Sequence, residues 1–165
     1  MAIIVVSDTS PLSGLAIAGY LGVLEQLYGQ VLIPSGVMQE LQRGGEDDPR
    51  ITDVLGLDWI EVRQATNQQL VQVLQTEHHL DRGESEAIAL ALDVNAEELL
   101  IDERLGRRKA MDLGLSITGL LGILLVAKRR GLITQIRPIM DRLILDANFR
   151  IGANLYREVL VAAGE

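Results

Sequence analysis

Four carboxylates stand at positions from which they could hold a cation. Asp8 closes the run Ile3-Ile4-Val5-Val6-Ser7, and Asp102 closes the run Glu98 to Ile101, so each aspartate follows an apolar, strand-like segment. Glu40 lies about 60° from Val37 on a helical wheel, at the edge of an apolar side that also holds Met38 and Leu41. Glu86 stands one residue before the buried-looking run Ala87 to Leu92. A carboxylate there is costly unless it is paired or bound to a cation. Carboxylates brought together repel one another unless a proton or a cation intervenes. Oxygen ligands of this kind favour magnesium or manganese over zinc. A magnesium or manganese site keeps waters that can be activated, and two such ions would stabilise both the attacking and leaving oxygens of a phosphodiester. No Ser-His-Asp triad, cysteine nucleophile or phosphate-binding glycine loop competes with this reading.

The elements that must position these residues alternate. The segments Ile3 to Val6, Val31 to Ile33, Trp59 to Val62, Glu98 to Ile101 and Leu115 to Ile117 read as short strands. Between them the pattern predicts helices over Pro11 to Ala18, Leu21 to Tyr28, from Ser35 past Leu41, Pro49 to Leu57, Asn67 to Glu77, a helix opened by Asp81, and Glu103 to Leu113. Ser10 before Pro11 reads as a cap, Thr118 as the cap of Gly119 to Arg130, and glycine-rich Arg43 to Asp48 as a loop. Asp81-Arg82-Gly83-Glu84 has capping-box spacing, which accounts for Glu84. Glu86, about 160° round the helix from Glu84, has no such account and is the preferred acid. Strands alternating with helices give a parallel sheet covered on its faces.

The 165 residues fit one domain, 1–165, whose amphipathic segments within about 134–165 would pack on the core or on a second subunit. There is no cysteine, which excludes disulfides and thiolate zinc sites and suits a reducing cytoplasm. No basic segment precedes the first apolar run, so no signal peptide is expected, and Leu115 to Ala127 is too short to span a bilayer. A formal net charge of -8 argues against gripping nucleic acid over a broad surface. It leaves room for a local basic patch, and Arg104, Arg107 and Arg108 would share a helix face. Lys128-Arg129-Arg130 suits a helix C-terminus. His78 and His79 are adjacent and cannot share a helix face, so the end of a helix explains them better than metal ligation does.

Five short stretches together resemble the PIN-domain superfamily, and most closely its PIN-like branch of toxin-type ribonucleases. They are Val6 to Leu12, Ile33 to Val37 leading to Glu40, Leu80 to Ala91, Leu100 to Glu103, and Ile117 to Gly122. The resemblance covers nearly the whole chain and implies a three-layer α/β/α domain with a central parallel sheet of about five strands. It also implies Mg2+- or Mn2+-dependent cleavage of RNA. Asp8, Glu40, Glu86 and Asp102 match the family's four acidic positions in order, and Thr9 its small hydroxyl residue. Two departures stand out: a glutamate at the third position, with Glu84 nearby as a rival, and Leu120 where a small or hydroxyl residue is expected.

The reading that follows is a metal-dependent ribonuclease, the toxin of a toxin–antitoxin pair, acting in the cytoplasm as a homodimer on an RNA substrate and held by a small antitoxin protein. A non-catalytic PIN-fold RNA-binding or protein-interaction module is the alternative, though a binding role has no need of a repelling cluster. A phosphatase-like hydrolase using Asp8 as nucleophile commonly wants a carboxylate two residues on, where Ser10 stands.

Overall fold

Strands of two or three residues make the sheet: β1 (Val5–Ser7), β2 (Val31–Ile33), β3 (Ile60–Val62), β4 (Glu98–Leu100) and β5 (Ile117–Thr118). The structure is a computed structural model and describes residues 3–165. Every pairing is parallel and the strand order is β3-β2-β1-β4-β5. The chain builds outward from β1 on one side, then returns to β1's other flank with β4. That reversal makes a switch point between β1 and β4, where the registry pairs Ser7 with Leu100.

Alternation along the strands sends side chains to two cores. Val5, Val31, Ile33 and Leu100 face one, together with α1 (Thr9–Ala18), α2 (Gly22–Tyr28), α3 (Ser35–Asp47), α8 (Leu120–Arg129) and α9 (Arg137–Asp146). Val6, Leu32 and Leu99 face the other, against α5 (Gln68–Thr76), α6 (Arg82–Asp93) and α7 (Arg104–Asp112). The result is the three-layer α/β/α arrangement. The short α4 (Pro49–Thr52) packs on α3, α9 packs on α1, and α10 (Ala153–Ala163) packs on α8.

Several local expectations are corrected. The first strand starts later: Val5 and Val6 are fully buried, while Ile3 and Ile4 are 40% and 39% exposed. Helix α1 begins at Thr9, so Asp8 and not Ser10 occupies the capping position. Thr118 ends β5, and α8 has Gly119 at its capping position. The expected loop at Arg43 to Asp48 is helix as far as Asp47. Its two glycines serve contact: a Cβ on Gly44 would sit 3.3 Å from Ile51, and one on Gly45 only 2.2 Å from Thr52 Oγ1. The close approach of α4 therefore selects glycine inside a helix that glycine would otherwise weaken.

Candidate metal and nucleic-acid site

Asp8 leaves β1 at the switch point, where its backbone N–H donates to the Leu100 carbonyl at 2.8 Å. Its side chain is 5% exposed and makes no capping bond to α1, although the backbone turns into a helix there. The carboxylate is thus withheld from the usual work of its position. One residue on, Thr9 Oγ1 donates to Glu40 Oε2 at 2.6 Å and ties α3 to the start of α1. On Glu40's other side lies the first turn of α6. A Cβ on Gly83 would come within 2.5 Å of Glu40 Oε1. Glycine there leaves the Glu40 carboxylate where it lies, and a larger residue would push it aside.

The capping box of α6 forms as the spacing predicts. The Glu84 N–H donates to Asp81 Oδ1 at 2.8 Å, and the Asp81 N–H donates to Glu84 Oε2 at 3.1 Å. This brings Asp81 and Glu84 toward Asp8 and Glu40. Burial pushes the Asp8 carboxyl well above the usual carboxylate range; the Thr9 N–H works against that, and the charges of Glu84, Asp81 and Glu40 add to it. Burial likewise raises Glu40, opposed by the Thr9 hydroxyl and reinforced by Asp81. Glu84 is pushed up to about 7, first by burial and then by Asp81, with Glu103 and Glu40 adding smaller amounts. Three acids that each make ionisation of the others harder form one electrostatic unit.

Glu86 is not in that unit. Its Oε1 accepts from Ser35 Oγ at 3.0 Å and from the Gly36 N–H at 3.1 Å, at the start of α3. Its Oε2 pairs with Arg82 Nε at 2.6 Å. Glu84 is turned toward Asp8, while Glu86, the acid the wheel prefers, accepts from the Ser35 hydroxyl and the Gly36 N–H at the start of α3. This partnership, with the Arg82 guanidinium as its counter-charge, accounts for the burial of Glu86. The capping box gives Glu84 a local role at the helix start, and its second role beside Asp8 has no local signal.

Asp102 follows β4, next to Asp8's strand, but in different company. Its Oδ1 accepts from the Leu120 N–H at 2.7 Å and so caps α8 across the chain. Its Oδ2 is buried and has no hydrogen-bond partner among the described residues. Burial raises this carboxyl too, while the Leu120 N–H and the Arg107 charge lower it and Glu103 raises it. Arg107 Nη1 donates to the Ile101 carbonyl at 2.9 Å, which holds the guanidinium beside the aspartate. A Cβ on Gly119 would lie 2.6 Å from Arg107 Nη1 and 3.0 Å from Asp102 Oδ1, so that glycine makes the space for both. Asp102, Ser10, Arg104 and Arg107 line a cleft of about 930 Å³, and Arg108 does not.

The donor set fits a hard divalent cation: all oxygen, with Asp8, Glu40 and Glu84 repelling one another and one buried oxygen of Asp102 unpartnered. As placed, no three acidic or histidine side chains among the described residues close around a single ion. His78 and His79 lie in the turn after α5, with His79 at a φ of 59°.

A family model described as a PIN domain matches residues 4–165. Among solved structures, that of PAE2754 from Pyrobaculum aerophilum is similar, with a TM-score of 0.55 at 14% sequence identity, covering 76% of this chain and 96% of that one. This second likeness speaks for the fold alone. No curated protein matches the sequence. Among the described residues, no helix is long and apolar enough to cross a membrane.

Proposed function

We propose that this chain, which belongs to the PIN-domain family, is a magnesium- or manganese-dependent ribonuclease and the toxin of a toxin–antitoxin pair. PIN domains are generally nucleases that use divalent metal ions. The observation that carries the reading for this chain is the gathering of buried Asp8 and Glu84 with half-buried Glu40, each held back from ionising, beside the unpartnered oxygen of Asp102. Asp8, Glu40, Glu84 and Asp102 are the residues we assign to hold the ion, with Glu84 replacing Glu86 in the third position. A bound ion supplies Lewis acidity that activates water and offsets charge at a scissile phosphate. Thr9 keeps Glu40 oriented through its hydroxyl, and Arg107 offers a cation for a phosphate oxygen next to Asp102.

The test is a manganese titration followed by melting temperature, beside incubation with total cellular RNA and mapping of new ends. The reading expects a saturable rise in melting temperature and metal-dependent ends that a chelator abolishes. A protein that neither gains stability with manganese nor cleaves RNA would overturn it. That no three ligands converge among the described residues favours a second reading, a non-catalytic PIN-fold RNA-binding module. That module would bind RNA equally well with chelator and yield no new ends.

For assembly we propose a homodimer. Leu145 on α9 and Val161 on α10 are 78% and 80% exposed, the two most exposed large apolar side chains among the described residues, which supports a covering second copy. Light scattering at micromolar concentration showing only an 18.1 kDa species would sink this. The proposed site of action is the cytoplasm, and co-purification with a small protein encoded beside the chain tests the antitoxin.

A further inference from the structure

Four arginines from distant parts of the chain meet around the cleft that contains Asp102. Arg104 and Arg107 come from α7, Arg129 from α8, and Arg150 from the segment after α9. Among the described residues none of the four belongs to an ion pair. Arg107 has one arm fixed on the Ile101 carbonyl, and the other three are exposed. In a chain of net charge -8, unpaired guanidinium groups gathered in one cleft run against the overall sign. The acids sharing the cleft are Asp102 and Glu103. Ser10, two residues after Asp8, lines the same cleft, so it opens at the proposed metal site. The helix-face pattern of the sequence pointed to Arg104, Arg107 and Arg108; the folded chain drops Arg108 and adds Arg129 and Arg150.

We infer that this cleft holds the phosphodiester backbone of a single RNA strand on one side of the scissile phosphate, with Arg104, Arg107, Arg129 and Arg150 as phosphate contacts. The identity of the strand rests on the ribonuclease reading; the cation arrangement does not. A guanidinium presents a planar fork that matches phosphate oxygens, and four of them along one cleft suit a repeating anion better than a single one. Phe149, the chain's one phenylalanine, lines the same cleft half-buried. It offers a face to one base, and only an unpaired base can take it.

The probe is a fluorescein-labelled 12-residue oligouridylate, bound in EDTA over a series of salt concentrations. Arg129→Gln with Arg150→Gln is expected to weaken binding at least tenfold at low salt. Its slope of log K against log salt should be shallower by about 1.4, about 0.7 for each lost phosphate contact. Arg108→Gln with Arg130→Gln removes the same charge outside the cleft and is expected to leave affinity within twofold. Equal losses in the two double variants would overturn the inference, because general charge would then explain binding. An unlabelled oligoglutamate of the same length that competes as well as oligouridylate would overturn it in favour of an acidic protein segment. A parallel arm with manganese separates the two proposals. Absence of new RNA ends in the parent overturns the ribonuclease reading while a slope change still supports the cleft, and cleavage with an unchanged slope does the reverse.

Discussion

β1 and β4 are neighbours that end in the same residue type at the same edge of the sheet, and their two aspartates live differently. Asp8 is surrounded by carboxylates, and its side chain makes no capping bond. Asp102 has one oxygen committed to the start of α8, the other idle, and an arginine beside it. Strand-end position delivers the carboxylate; what packs over the strand end decides its charge environment. On the β1 side, α3 and α6 contribute acids. On the β4 side, α7 and α8 contribute cations and amides. The boundary between the two is where an anionic strand could meet a cation held by acids.

The sharpest way to break this contrast is to neutralise each aspartate in turn. Asp8→Asn and Asp102→Asn should each cut RNA cleavage on the order of a thousandfold, as removal of a charge-stabilising group from a reaction centre does. Without metal, their melting temperatures should separate. Asp8→Asn relieves repulsion on all sides and should melt higher than the parent, whereas Asp102→Asn also forfeits the attraction of Arg107 and should gain less. Equal gains in calorimetry would erase the distinction.

A next test uses the two glutamates of α6. Glu84→Gln should lower cleavage roughly a hundredfold and abolish stabilisation by manganese, while folding persists because glutamine also serves in a capping box. Glu86→Gln should do the opposite. Activity should stay within a few-fold, and stability should fall by about 1–2 kcal/mol as the charge-assisted bonds to Gly36 and Arg82 weaken. That loss corresponds to roughly 2–8 °C in a chain of this size. A Glu86→Gln protein that loses manganese binding would restore the wheel assignment.

The acidic side should also be visible in pH. Asp8, Glu40, Glu84 and Asp102 all have carboxyls raised on folding, so the stability they lend is fully present below their unfolded values and is lost as pH rises through the folded ones. Glu84 spans 4.5 to about 7. Metal-free protein should therefore melt higher at about pH 5 than at about pH 8, and saturating manganese should shrink or reverse the difference. A flat metal-free profile across that window would show that burial does not hold these four carboxyls back.

The smallest expected effects come from the glycines that flank the two sides. Gly83→Ala presses on Glu40, and Gly119→Ala presses on Arg107 and Asp102. Each should cost cleavage roughly tenfold to a hundredfold through misplacement of its neighbour. Only Gly119→Ala should also weaken oligouridylate binding in EDTA, a difference that fluorescence anisotropy resolves.

Much of this could be read before folding. The five short strands and the capping box at Asp81 follow from local pattern, because periodicity and turn chemistry are local. Ser10 and Pro11 make a strong helix-start pair, yet α1 begins two residues earlier, where the Asp8 N–H bonds to Leu100 and the chain turns out of β1. Helix α3 outlasted its glycines because α4 packs on them, a contact no window of sequence contains. In the candidate site the residue types were legible and their partners were not. A wheel measures the angle between Glu84 and Glu86 but carries no origin; that is supplied by Ser35 and Gly36, some fifty positions away. Arg129, which reads locally as a helix-end charge, and Arg150 carry no local sign of the cleft they share, for the same reason.

The clamp of Glu86 on the start of α3 has a consequence for variation in chain length. Helix α6 carries Glu84 itself and, two residues later, grips the helix that carries Glu40. The distance between those two acids is therefore set by a direct brace between α3 and α6, and not by the polypeptide that connects them through α4, β3 and α5. Insertions or deletions in the loops of that connecting stretch should leave the spacing of Glu40 and Glu84 untouched, so its length can drift while the acidic pocket stays in register.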